Sequence, residues 1–512
     1  LSQLQQRVHA LAPALKSIRR GIEKESLRVR PDGSLAATAH PAGLGSPLMH
    51  PRITTDFSEA QLELITGVHG GVDACLDELT HIHQFVYRNI GDELLWSASM
   101  PCNLPADDAI PIARFGSSNI GRAKTVYRIG LAHRYGRRMQ AISGIHYNFS
   151  LAEVDWPALG WPGGANDAYF ALIRNFRRHS WLLLCLLGAS PAICSSFVAS
   201  DAHGLQPFSP GTLFAPHATS LRMGRLGYQS QAQAALAVSY NSLASYAASL
   251  HEALSTPHAP YESIGLRDGD DYRQLSTSLL QIENEFYGTI RPKRVIRRGE
   301  RPLHALRDRG VEYVEVRLID LDPFSPIGIT TRTIRLLDVF LLHCLLRESP
   351  PDTPAEIAAI ARNQNLVALR GREPGLHLEC GERKVPLAEW GDELLAECGP
   401  LAAALDAGEG SAHADALSNA RAALADAASL PSARVLEEME REHGRSHNRF
   451  ALAHSLRHRA ALTGMALSRE IEERFARAAA ESLIKQRAIE SADTVPFEAY
   501  RTDYLSPDRL TA

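Results

Sequence analysis

The tightest constraint on this chain is a set of short runs in which polar and apolar residues alternate, with acids in the polar positions. In GIEKESLRV (21–29), Glu23 and Glu25 fall on one side of an extended chain, because a strand turns successive side chains to opposite faces. QLELIT (61–66) groups Gln61, Glu63 and Ile65, and GIHYNFS (144–150) groups His146, Asn148 and Ser150. QIENEFY (281–287) puts Glu283, Glu285 and Tyr287 in phase. In VEYVEVRLID (311–320), Tyr313, Glu315, Arg317 and Ile319 alternate with Val314, Val316 and Leu318. Asp56 has opposite parity to Glu63, so both reach one site only if a bulge or bend falls between Phe57 and Ala60.

Each run alone reads as the solvated face of an antiparallel sheet. Together they say more. Carboxylates about 7 Å apart along one strand face repel unless they are solvated, protonated or bridged by cations. A face that only meets water would carry Lys, Thr and Ser. Acid-rich faces with one His and one Arg point instead to hard divalent cations such as Mg2+, completed by phosphates.

The texture changes along the chain. Residues 1–345 interleave these runs with helical periodicity, the pattern of an α+β catalytic region. Residues 346–512 are rich in Ala, Leu, Glu and Arg and read as a helical C-terminal region, packed on the first part or separate from it. The first 20 residues read as an amphipathic helix without an apolar signal core. The longest apolar stretch, 181–199, is broken at Gly188-Ala189-Ser190-Pro191, which favours a buried helix and a turn over a membrane span. With 54 Lys+Arg against 58 Asp+Glu, a net charge of −4, a dedicated nucleic-acid binder is excluded. Seven scattered cysteines without a CxxC pair exclude a disulfide framework and a zinc ribbon, and fit a reducing, cytoplasmic setting.

GIEKESLRV, TTDFSEAQLELIT, SMPCN, KTVYRIGL, SGIHYNFS, GASPAICSSF, QIENEFYGTIRPKR and GVEYVEVRLIDLDPFSPIGI follow one another in that order. Together they resemble the bacterial glutamate–cysteine ligase (γ-glutamylcysteine synthetase) family of the proteobacterial type. The likeness runs from about Arg19 to Gly328 and returns weakly at GREPGLHL (371–378) and SADTVPFEAY (491–500). It implies a glutamine-synthetase-like fold: a curved, mostly antiparallel sheet forming a funnel, surrounded by helices. It also implies ATP-dependent joining of L-glutamate to L-cysteine through a γ-glutamyl phosphate, the first step of glutathione synthesis.

By the same resemblance, Glu23, Glu25, Asp56, Glu63, His146 and Glu315 are the expected ligands of two or three Mg2+ ions, for which Mn2+ can substitute. Asn148, Arg128 and Arg317 are expected at the nucleotide, with Arg317, Arg128 and Glu315 acting in catalysis. An ordinary ion pair with Glu315 is the competing role for Arg317. Arg222 is expected to grip the glutamate α-carboxylate. Phe57, Tyr127, Leu131, Gln140, Tyr228 and Tyr287 would form the cysteine pocket, although core packing is the ordinary role of each Tyr. Glutathione is the expected feedback inhibitor, Cys102 is read as structural, and a monomer is expected.

Three features are decoys. GSSNIGRAKT (116–125) imitates a P-loop, but Lys124-Thr125 come two residues late. The basic run RPKRVIRRGER (291–301) is read as a rim that attracts ATP, or as solvated charge. His443, His447, His454 and His458 are read as a solvated helix face rather than a transition-metal site. Two other functions compete: a related ATP-dependent ligase using another amine, and a non-catalytic nucleotide-binding protein. The second should have lost its acids, and this chain retains them.

Overall fold

The computed structural model describes residues 3–198, 203–227, 236, 238–297, 299–408 and 410–510. Strands β1 (Arg19–Val29), β2 (Ile53–Thr55), β3 (Gln61–Ile65), β4 (Leu94–Leu95) and β5 (Ile145–Ser150) come first along the chain. Next, β6 (Ala192–Cys194), β7 (Gln206–Ser209) and β8 (Thr212–Phe214) form a small sheet, and β9 (Arg267–Asp268) with β10 (Asp271–Tyr272) a short hairpin. Then come β11 (Ile290–Lys293), β12 (Tyr313–Ile319) and a last hairpin, β13 (His377–Cys380) with β14 (Arg383–Pro386). The main sheet has the order β11-β12-β5-β1-β3-β2, with β4 on the far end of β1, and its pairings are antiparallel. This is the expected α+β architecture.

The alternation places the sheet. Ile22, Leu62, Leu64, Ile145, Tyr147, Phe149, Val314 and Val316 are all fully buried on its apolar face. They join one core with the helices Gly164–Leu187 and Thr331–Leu346. At ~1.5–3 kcal/mol per buried large side chain, this face holds the polar one in place. Arg20 and Asp338 cross from strand to helix as a buried ion pair of 2.9 Å. A one-residue slip of β1 would bury its acids and expose Ile22, so the register is strongly specified.

The apolar stretch after Trp181 behaves as expected, with the helix ending at Leu187 and β6 starting at Ala192. Gly188 is required between them, since a Cβ there would stand 2.5 Å from the Leu184 carbonyl oxygen and 2.7 Å from that of Thr219. Among the described residues no helix is long and apolar enough to cross a membrane. The region after residue 346 is mostly helical, but it also contains the β13–β14 hairpin. Its Leu378, Leu395, Leu401 and Phe475 are buried in the same core as the sheet.

Three expectations are corrected. QIENEFY is not a strand: Glu283–Glu285 form a single 3-10 turn. Glu283 pairs with Arg301 at 2.7 Å and accepts from the Leu303 amide at 3.1 Å. Glu285 pairs with Arg134 at 2.8 Å and accepts from the Gln281 amide at 2.7 Å. These tertiary partners override a weak period-2 signal. The four histidines are not a solvated face either. His447, His454 and His458 are buried, on a helix (His447–Gly464) packed against Val72–Asn89. His454 meets Glu438 at 2.9 Å and His458 meets the Pro323 carbonyl at 2.7 Å. Finally, the scattered cysteines, read as fitting a reducing setting, include one bonded pair, the disulfide Cys102–Cys194.

Candidate active site

The strand pairing assembles what the sequence keeps far apart. Glu25 stands opposite Glu63, Glu23 opposite His146, and Glu315 between Arg291 and Asn148 on its two neighbours. Asp56 joins them because the chain turns between β2 and β3, where its amide donates to the Gln61 carbonyl at 2.9 Å. The bend demanded by parity is therefore a hairpin turn between two strands. Together Glu23, Glu25, Asp56, Glu63, His146 and Glu315 line a cavity of about 580 Å³. Phe57, Tyr127, Arg128, Leu131, Gln140, Tyr287 and Arg317 line the same cavity.

The opposite wall is a helix, Asn119–Tyr135. Ser118 caps it, accepting from the Gly121 amide at 3.3 Å, so the P-loop look-alike is a helix start. Lys124, Tyr127, Arg128 and Leu131 line the cavity at helical spacing, one face of that helix. Arg128 is braced on the Asp56 and Lys124 carbonyls and over the Phe115 ring. Asn148 donates to Glu23 at 3.0 Å, while its side-chain oxygen is buried without a protein partner.

Arg222 lies in a smaller cavity of about 50 Å³ that shares Tyr287 and Arg317 with the large one. It donates to the Arg317 carbonyl at 2.9 Å and lies 3.7 Å from Asp320. Gly144 makes room for it: a Cβ there would stand 2.0 Å from the guanidinium. The Gly144 amide donates to Glu25 at 2.8 Å, and Gln140 donates to the Tyr287 hydroxyl at 2.6 Å. Tyr228 lies outside the described residues.

Charge is unevenly balanced across the cavity. At one end Lys293 and Arg317 stand 3.0 and 2.9 Å from the two oxygens of Glu315. Burial works against ionisation there, but these two cations hold Glu315 well below the usual carboxylate range. At the other end burial, reinforced by Asp56, pushes Glu25 up to about 8. Burial and the repulsion of Glu23, Asp56, Glu25 and Glu315 push Glu63 well above its ordinary value. Burial and Arg317 lower His146, so its imidazole is neutral with a lone pair to offer. His146 lies 3.2 Å from Glu23 and 3.7 Å from Glu25. Five acids, two of them raised by burial and mutual repulsion, and a neutral His form a donor set suited to hard divalent ions.

Among the cavity residues that the sequence reading missed are three cations, Lys124, Arg291 and Lys293. A signal existed for two of them, since Arg291 and Lys293 are in phase on β11 and Arg291 pairs with Glu315. The basic run had been read as one solvated or rim segment, whereas its first part is a strand inside the site.

Comparison with known proteins identifies the relatives of this chain. The profile of the glutamate-cysteine ligase family matches residues 1–367. A glutamate–cysteine ligase of Alcanivorax borkumensis is 45% identical over 99% of this chain and 100% of its own length. That of Azotobacter vinelandii is 49% identical over 96% of each chain. The crystal structure of a Francisella tularensis glutamate–cysteine ligase in complex with AMP superimposes with a TM-score of 0.92. It is 36% identical and covers 96% of this chain and 97% of that one. A site of buried acids and arginines on a sheet face, in a chain alike over almost its full length, places this protein in the glutamate–cysteine ligase family.

Proposed function

We propose that the chain joins the γ-carboxylate of L-glutamate to the amine of L-cysteine at the expense of ATP, releasing ADP and phosphate. The observation that carries this reading is the meeting of a cluster of mutually repelling acids with Arg128, Arg317 and Tyr287 in one cavity. The buried carboxylates and neutral His146 fit divalent cations, and Glu23, Glu25, Asp56, Glu63, His146 and Glu315 would hold two or three Mg2+, with Mn2+ able to replace them. Bound there, the ions would neutralise the triphosphate and the attacking carboxylate.

The remaining work belongs to side chains. Arg128 and Arg317 present paired donors to the transferring phosphoryl group, and Asn148 offers its unpartnered oxygen toward the nucleotide. Arg222 holds the glutamate α-carboxylate. Phe57, Tyr127, Leu131, Gln140, Tyr228 and Tyr287 enclose the cysteine side chain and carboxylate. Glutamate, as the γ-glutamyl phosphate, is then attacked by the cysteine amine, so no protein thiol takes part. Residues 1–345 carry the reacting groups and residues 346–512 pack on them as one unit. The reading includes a monomer at work in the cytoplasm, inhibited by glutathione, whose γ-glutamylcysteine part resembles both substrates.

The test is Mg2+-dependent ADP release with glutamate plus cysteine, compared with glutamate plus other amines. Faster turnover with cysteine is expected; equal or slower turnover would sink the substrate assignment.

A further inference from the structure

Outside the acid-rich cavity, the described residues hold two clusters of ligand-type side chains: the partly exposed Glu438, Glu442 and His443, and the buried Cys102, Cys194 and His447. Cys102 follows the SMPCN motif's buried Met100, Cys194 ends β6, and His447 opens the helix His447–Gly464. Three segments far apart in sequence thus converge on one point. All three residues are buried, yet Asn103, Ser195 and Arg445 beside them are exposed, so the cluster lies one layer beneath the surface.

The geometry is that of a ligand set. His447 Nδ1 stands 3.1 Å from Cys102 Sγ and 3.9 Å from Cys194 Sγ. With bonds of about 2.3 Å to sulfur and about 2.0 Å to nitrogen, a tetrahedral zinc ion places S and N roughly 3.5 Å apart. The two separations, measured in the disulfide form, bracket that value, and the sulfurs would have to part to roughly 3.8 Å to bind the ion. The backbone holds His447 in place: its amide donates to Thr212 Oγ1 at 3.1 Å, and Thr212 is the β8 partner of Cys194. The preceding turn uses left-handed conformations at Gly444 and Arg445 (φ 57° and 61°) to swing the helix start onto the cysteines. The Cα atoms of the cysteines are 5.2 Å apart, so opening the disulfide and separating the sulfurs requires side-chain rotation only.

We propose that the dithiol form of Cys102 and Cys194, with His447, is a binding site for one soft divalent ion of the zinc class, which the disulfide closes. In the first step two molecules of a small thiol such as cysteine reduce the disulfide: the Cys102–Cys194 bond breaks, both sulfurs gain protons, and the small thiols leave as their own disulfide. In the second step the ion displaces the two thiol protons to solvent and takes the imidazole lone pair. Thiolates favour zinc-class ions more strongly than carboxylates do, and excess Mg2+ is used to occupy the large cavity, whose His146 and carboxylates would otherwise also take zinc.

The test uses the full chain, reduced with a phosphine, desalted without air and dialysed against Zn2+ in excess Mg2+. Metal analysis is expected to find one zinc per reduced chain at this site and none there in the oxidised chain. Cadmium in place of zinc should give the ultraviolet thiolate charge-transfer band. The double variant Cys102→Ser/Cys194→Ser should lose both the ion and the band. The variant His447→Gln, which keeps both cysteines and a polar group, should hold the ion more weakly. Circular dichroism confirms folding, and Cys398→Ser, remote in the core, serves as a control that keeps the ion. Zinc retained by the folded double variant, or no zinc taken up by the reduced wild-type chain, would overturn the proposal.

Discussion

Two pairs of glutamates look alike in the sequence and do opposite things in the fold. Glu23 and Glu25 alternate on β1, and Glu283 and Glu285 alternate in QIENEFY. The second pair is consumed by dedicated cations: Arg301 for Glu283 and Arg134 for Glu285, with exposures near zero. The first pair shares its cavity with Asp56, Glu63 and Glu315, and the nearby cations sit mostly at the Glu315 end. Alternation therefore identifies a face, not a site. What marks the site is acids buried close enough to repel one another, which raises Glu25 and Glu63.

The comparison can be broken by experiment, beginning with the largest effect. Glu315→Gln should lower Mg2+-dependent ADP formation by about a thousand-fold or more, about 4 kcal/mol, while thermal unfolding of the variant stays close to wild type. Near-normal turnover would remove Glu315 from the site. The matched change, Glu285→Gln, should act on stability instead. It strands the buried Arg134 and should cost ~3–5 kcal/mol in denaturant unfolding, as expected when one partner of a buried pair is lost. If Glu285→Gln folded normally but lost activity specifically, the two pairs would not differ as argued.

A third prediction concerns pH. The Glu25 carboxyl is raised from its ordinary value to about 8. A raised carboxyl binds its proton more tightly in the folded state, so its stabilising contribution is complete below about 4.5. That contribution is lost as pH climbs toward 8, because folding then forces a repelled charge into the cavity. Mg2+ should offset that repulsion. The rise in Tm on adding Mg2+ is therefore expected to be small at pH 5.5 and larger at pH 8, by the equivalent of about 1–2 kcal/mol. A rise independent of pH would separate metal binding from the acid cluster.

The smallest effect is expected at Lys293, which stands at the balanced end. Lys293→Met removes one of the two cations on Glu315 and should raise the KM for ATP several-fold with a lesser change in kcat. Steady-state kinetics at fixed Mg2+ would check it, and an unchanged KM would return Lys293 to a purely structural role.

Much of this molecule was legible before folding. The β1, β3, β5 and β12 runs have a period of two, and the apolar half of each had to be buried, which fixes the other half on a common face. Parity puts Glu23, Glu25, Glu63, His146 and Glu315 on polar strand faces; that these faces belong to one site came from the family resemblance. The need for a bend at Asp56 was also visible, though not that a hairpin turn supplies it. QIENEFY failed because its glutamates find Arg301 and Arg134, partners distant in the chain. The histidines from His443 to His458 failed for a related reason: a polar residue at helical spacing does not disclose whether another helix will cover it.

The sequence by itself determined which residues share a strand face, because alternation is a property of the backbone. Only the tertiary structure decided which strands became neighbours, which acids received cations and which were left repelling one another. It alone brought Cys102, Cys194 and His447 together. Periodicity is local and survives in the letters. Charge balance is a sum over everything within a few ångströms, and that neighbourhood exists only once the chain has folded.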